Sequence, residues 1–182
     1  MPTSNGVIYT IQGDGVNATL SFAATIPIAG WTATTAKYVR KTVILSNGAK
    51  RTLVWQKNAA GVISFGDRGL LRKVLGLAVG DARKAHHVMP WEHCSEDIIQ
   101  KAAGGDFHMN ELLNGIPLTT AQHSGSHALY NQKVGLKLQE LWNLNPNMSS
   151  QQAQTAVRNL AAQIKNWIYT HPNESINNVI IP

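Results

Sequence analysis

The sequence predicts an α+β domain, mainly helical, with one small β-hairpin. Residues 52–56 and 62–65 are rich in β-branched and aromatic side chains, and the five residues between them include Asn58 and Gly61, the pattern of two strands joined by a turn. Residues 126–142 and 149–170 repeat apolar side chains at three and four, the period of a helix with one buried face. With 182 residues and 43% hydrophobic content the chain has the composition of one packed domain rather than two.

Taken in order, residues 1–15 read as a loose lead-in rich in Gly, Asn and Thr. Residues 16–36 are uncharged and long enough to cross a bilayer. Five threonines, Asn17, Ser21, Pro27 and Gly30 argue against a span, so no stable membrane insertion is expected. Two short helices broken at Pro27 and Gly30 are predicted there, the second running through Trp31, Tyr38 and Val39. Residues 1–44 are thus an apolar helical lead-in, and residues 45–182 the functional domain. No secretory signal opens the chain, so an exported form would need another part of a longer polypeptide.

After the hairpin, Asp67 is placed to cap a helix over 68–75 that Gly76 ends. Leu70, Leu71, Val74 and Leu75 would face the core, while Arg68 and Arg72, four apart, would share a face directed outward or at a ligand. Ser95, Glu96 and Asp97 start a helix that Gly104 and Gly105 stop. Residues 116–118 can form another short strand. A helix from about 126 to 142 would bury Val134, Leu138 and Leu141, with Pro146 behind it. The last helix opens on a capping box of Ser149 and Gln152 and ends near His171, before Pro172. Its stripe of Ala153, Val157, Leu160, Ile164 and Trp167 reads as core.

The net charge of +6 is concentrated. Residues 37–84 carry eleven Lys and Arg against two Asp, whereas residues 85–132 carry one Lys against five Asp and Glu. A basic stretch is most often a solvated face. Its functional reading is a phosphate-binding surface, with Lys57, Arg68, Arg72, Lys73, Arg83 and Lys84 as the candidate nucleic-acid contacts.

Six of the seven histidines, His86, His87, His93, His108, His123 and His127, fall within residues 85–131. Imidazole ligates metals and exchanges protons near neutrality, so such a cluster points to a metal site, acid–base chemistry or both. Adjacent His86 and His87 on an extended segment point to opposite faces, which lets one face a metal and the other a water. His123 and His127 are four apart, the spacing that shares a helix face, although Gly125 and the flanking serines favour a helix that starts only near Ser126. Taken singly, His93 and His108 read as surface or hydrogen-bonded core histidines. The single Cys94 excludes an intrachain disulfide framework and leaves zinc binding to histidines.

The strings AHHVMP, FHMNELLNGIPL and HSGSHALYN resemble the AHH branch of the HNH, or ββα-metal, endonuclease superfamily, many of whose members are toxin domains of bacterial polymorphic toxins. The resemblance implies a ββα-metal core in which His87 is the general base and His86, His123 and His127 hold one divalent ion. Asn114 would orient the base, with Asn110 or Asn131 as alternatives for a role given to Asn114 or His123. It further implies hydrolysis of DNA with little sequence preference, by a domain delivered into a target bacterial cell as part of a larger toxin. A cognate immunity protein, acidic by complementarity to the basic segment, would neutralise it before delivery. Zinc and nickel suit three histidines, and magnesium or manganese also support members of the superfamily. The alternatives are a ribonuclease, a non-catalytic zinc-stabilised nucleic-acid-binding module, or a structural domain with a coincidental histidine cluster.

Overall fold

A computed structural model describes residues 37–45 and 48–181, and the helices expected before residue 37 lie outside the described residues. The first described element is a strand. β1 (Lys37–Ile44) pairs antiparallel with β2 (Lys50–Lys57), from Lys37 opposite Lys57 to Ile44 opposite Lys50, and β2 pairs with β3 (Ile63–Ser64). The predicted hairpin is therefore present as β2 and β3. The helix predicted through Tyr38 and Val39 is corrected to a strand, because Val39, Thr42, Val43 and Ile44 are β-branched and an eight-residue partner pairs their backbone. The boundary drawn after residue 44 falls in the β1–β2 turn, so β1 belongs with the sheet rather than with the lead-in.

Helix α1 (Leu70–Val74) is shorter than expected. Asp67 does not cap it: Gly69 stands at the N-cap, and the Asp67 carboxylate accepts from the Gly69 N–H at 2.8 Å, closing a local turn. Its C-terminus follows the expectation. Gly76, at φ +68°, takes the left-handed position, with Leu77 N–H on the Arg72 carbonyl and Gly76 N–H on that of Lys73.

A second, two-stranded sheet joins β4 (Lys84–His87) to β5 (Gly115–Leu118), antiparallel, with His87 opposite Gly115. Between these strands run a 3-10 turn at Trp91–His93, helix α2 (Asp97–Ala103) and a 3-10 turn at Leu112–Asn114. Helix α3 (Ala128–Leu144) follows β5 and completes a β-β-α unit. Helix α4 (Ser150–Thr170) begins on the capping box of Ser149 and Gln152, with both reciprocal bonds formed. The fold is α+β, as predicted.

The core lies between the β-β-α unit, α2 and α4. Tyr130, Val134 and Leu138 of α3 and Ala153, Val157, Leu160, Ala161, Ile164 and Ile168 of α4 are buried with Ile98, Ile99, Ala102 and Ala103 of α2. Trp167, expected on the buried stripe, is half-buried, and Ile168 takes the inner position beside it. Each large apolar side chain removed from water there contributes about 1.5–3 kcal/mol. The same core takes in Val88 and Met89 just after β4, and Ile116 and Leu118 of β5, and so backs the strand that carries His86 and His87. No helix among the described residues is long and apolar enough to cross a membrane.

Candidate active site and metal centre

Strand β4 delivers adjacent histidines to opposite sides, as an extended backbone must. His86 turns toward the start of α3, where the chain between β5 and α3 brings His123 and His127 to it. His123 sits in the turn closed by its own N–H on the Thr119 carbonyl, and His127 is the N-cap residue of α3. Ligand-capable nitrogens of His86, His123 and His127 all lie within 4.8 Å of one another. Their ring centroids are 5.5 Å (His86–His123), 5.3 Å (His86–His127) and 4.2 Å (His123–His127) apart.

His86 is 7% exposed, and its Nε2 is buried with no hydrogen-bond partner. An unpartnered buried nitrogen is costly unless something else satisfies it. Burial, followed by the proximity of His127 and His123, pushes the His86 imidazole down to about 3. His123 is lowered as well, by burial and then by His127. A neutral ring with a free lone pair is the form that ligates metal, and three imidazoles are a borderline-soft donor set, so these residues fit a divalent transition ion.

His87 faces a different network. Its Nε2 lies 2.9 Å from Asn110 Oδ1. Asn110 Nδ2 donates to the Asp67 carbonyl at 2.9 Å, which fixes the amide so that oxygen faces the imidazole. His87 Nε2 must then carry the proton and donate, leaving Nδ1 with the lone pair. Burial pushes the His87 imidazole down to about 4, with the Asn110 bond opposing and Arg68 adding to the shift. The ring is neutral at neutral pH, held in one tautomer, and packed edge-on against Trp91 at 5.2 Å.

The Asn114 side chain makes no hydrogen bond to His87. Its Oδ1 accepts from Met89 N–H at 2.7 Å and its Nδ2 donates to the Met109 carbonyl at 2.8 Å, while its own carbonyl accepts from Val88 N–H. It pins the turn before β5 to the end of β4. The side chain that reaches the ring is Asn110, four residues earlier; both asparagines sit in the same short stretch, and spacing alone gives no way to choose. Asn131 donates to the exposed Glu92 carboxylate at 2.6 Å instead. His93 and His108, read as core or surface histidines, are both hydrogen-bonded, His93 to the Asn131 carbonyl and His108 to that of Val54.

The basic residues separate into two groups. Arg72 is half-buried and its guanidinium donates to the carbonyls of Ala78, Asp81 and Arg83, so it staples the loop between α1 and β4. The expectation that it faces outward or toward a ligand is thereby corrected: three loop carbonyls take up its guanidinium, that of Ala78 shared with the Asp81 N–H. Arg83 pairs with Asp81 at 2.8 Å, which together hold the Asp81 carboxyl down at about 2. Arg68, Lys73 and Lys84 are exposed. Arg68 and Lys84 are near enough to act on the His87 and His123 imidazoles respectively. Lys57 lies at the end of β2, on the sheet remote in sequence from the histidines.

Residues 76–164 match the model of AHH, a nuclease family of the HNH/ENDO VII superfamily with a conserved AHH motif. Those residues belong to the AHH family. The matched span runs from Gly76 into α4, and takes in both strands of the second sheet, the three-histidine cluster and Asn110. The motif that gives the AHH family its name is here Ala85, His86 and His87, the end of β4. No curated protein and no solved structure matches the chain. AHH membership assigns a nuclease fold and class; the two faces of β4 show how its paired histidines are separated into a metal-type cluster and a single neutral ring.

Proposed function

We propose that this chain is a metal-dependent endonuclease that hydrolyses DNA phosphodiesters with little sequence preference. The observation that carries the reading is the division of labour at β4. His87, neutral and proton-bearing at Nε2, offers Nδ1 as a base, and next to it in sequence His86 joins His123 and His127 in a cluster able to hold one divalent ion.

His86, His123 and His127 would hold that ion, which supplies Lewis-acid polarisation of the phosphoryl oxygen and stabilisation of the departing 3′ oxygen. His87 removes a proton from the attacking water at Nδ1 while Asn110 holds Nε2–H and so keeps the ring from turning. The water oxygen forms the new bond to phosphorus as the 3′ oxygen leaves, and the proton on His87 returns to solvent. Trp91 limits water on one side of the ring. Arg68 and Lys84 flank the two halves of the site and grip phosphates, contacts that carry no sequence information. That accounts for weak specificity.

The family resemblance and the basic composition support a toxin role: a domain delivered into a target bacterial cell as part of a larger polypeptide, and neutralised in its producer by an acidic immunity protein. Supercoiled-plasmid cleavage by the purified chain, with EDTA, magnesium, manganese, nickel or zinc and with His87→Ala in parallel, tests the enzymatic reading. Metal-dependent nicking that disappears in the variant is the expected result. Retained turnover in His87→Ala removes the base from the scheme, and cleavage of tRNA but not plasmid moves the substrate to RNA.

A further inference from the structure

His108 is fully buried in an apolar setting, 4.6 Å edge-on to Trp55 and 5.4 Å edge-on to Phe65. A core position of that kind is ordinarily filled by an aliphatic or aromatic residue, because an imidazole brings two polar nitrogens that must be satisfied. Both are satisfied here in one specific way. Asn110 N–H donates to Nδ1 at 2.9 Å, which fixes Nδ1 as the acceptor. Nε2 must then carry the proton, and it lies 3.1 Å from the Val54 carbonyl on β2.

The residue whose backbone is caught in this way is the one whose side chain holds His87. Val54, His108, Asn110 and His87 therefore form a single run of oriented hydrogen bonds from the three-stranded sheet to the base. The turn that carries Asn110 is closed at its other end as well. His108 N–H donates to Glu111 Oε2 at 3.2 Å, and both Glu111 oxygens accept from Arg158 of α4 at 2.7 Å.

We infer that His108 is a positioning residue for the base: its δ nitrogen fixes the Asn110 backbone, and through Asn110 it sets the tautomer and aim of His87. The inference rests on the reading of His87 as general base. It assigns His108 no contact with substrate. Imidazole is the side chain that offers an acceptor at the δ position and a donor at the ε position of one rigid ring, which is what bridging a backbone N–H to a carbonyl on another sheet requires.

Two substitutions separate this role from simple core filling. His108→Asn keeps an acceptor at the δ position for the Asn110 N–H, and His108→Gln keeps a donor near the ε position for Val54 but loses the δ acceptor. Plasmid cleavage with manganese should show His108→Asn within about threefold of the parent in kcat. His108→Gln should fall at least about tenfold in kcat, with KM and zinc binding unchanged, because a small misplacement of a reacting group costs rate rather than binding. Equal kcat for parent and His108→Gln, with His87→Ala inactive, overturns the inference while leaving the base assignment intact. An inactive parent, or an active His87→Ala, overturns both. Nitrogen-15 spectra of the histidine rings in the unmutated chain give a second test independent of variant folding: a proton on Nε2 of both His108 and His87 is expected, and a proton on Nδ1 of His108 overturns the inference.

Discussion

Asn110 Oδ1 stands 2.9 Å from His87 Nε2, whereas Asn114 hydrogen-bonds only to backbone, at Met89 and Met109. Two asparagines four residues apart therefore do different work. On the proposed mechanism, Asn110→Ala should lower plasmid cleavage by about 10- to 100-fold with little change in zinc binding, because it frees the His87 ring to rotate. Asn114→Ala leaves the Met89 N–H and the Met109 carbonyl buried without partners and should cost about 2–3 kcal/mol of stability. Urea unfolding alongside kinetics distinguishes them; the reverse pattern would return the orienting role to Asn114.

Metal uptake should be visible in stability. An ion that binds only the folded chain adds about 2.7 kcal/mol at a hundred times its dissociation constant. Zinc should therefore raise the melting temperature of the parent, and His86→Ala and His127→Ala should each abolish most of that rise. A parent that melts identically with zinc and with EDTA rules out a zinc-type site at these three residues.

Acid should destabilise the fold partly through His108. Burial holds its imidazole at about 4, below the ordinary value of 6.5. Between those values the unfolded chain takes up a proton that the folded chain refuses, so stability is complete above about pH 6.5 and falls as the pH drops toward 4. The His108 share is on the order of 3 kcal/mol. Urea unfolding in EDTA at pH 7 and pH 4.5 should show the gap between parent and His108→Asn narrowing at the lower pH. A constant gap would place the acid sensitivity elsewhere.

Arg68 and Arg72 should respond in opposite ways to neutralisation. Arg72→Gln removes guanidinium bonds to three loop carbonyls and should lower the melting temperature. Arg68→Gln should leave the fold intact, raise KM for plasmid and flatten its salt dependence. If an acidic immunity protein covers this surface, charge reversal at Arg68 and Lys73 weakens neutralisation; unchanged inhibition would place the partner on another face.

Gly105 allows α2 to end against the start of α4. A Cβ there would collide with the Ser150 carbonyl oxygen and stand 3.1 Å from Gln154 Cβ. Backbone cannot yield as a side-chain tip can, so Gly105→Ala should destabilise by about 2 kcal/mol or more in chemical denaturation. A neutral effect would mean that the α2–α4 contact is looser than it stands here.

Local chemistry decided much of this protein in advance. The alternation of β4, the Gly76 stop of α1, the capping box at Ser149 and the stripe on α4 each depend on residues within a few positions of one another, so they are legible as a string. The same holds for His86 and His87, which an extended backbone must separate, and for the AHH family strings themselves. The strand at Lys37–Ile44 was not legible, since its pairing with β2 outweighs the helix suggested by the apolar run before it. Nor was the choice of Asn110 over Asn114, or the capture of Arg72 by its loop and of His108 by β2. Those depend on which polar groups meet across 6 to 54 residues once the chain has packed. The sequence pointed to the class of chemistry and the strand that carries its histidines; the tertiary structure alone decided which side chains hold the His87 ring, because a buried hydrogen bond is chosen by the donor and acceptor that packing leaves facing each other.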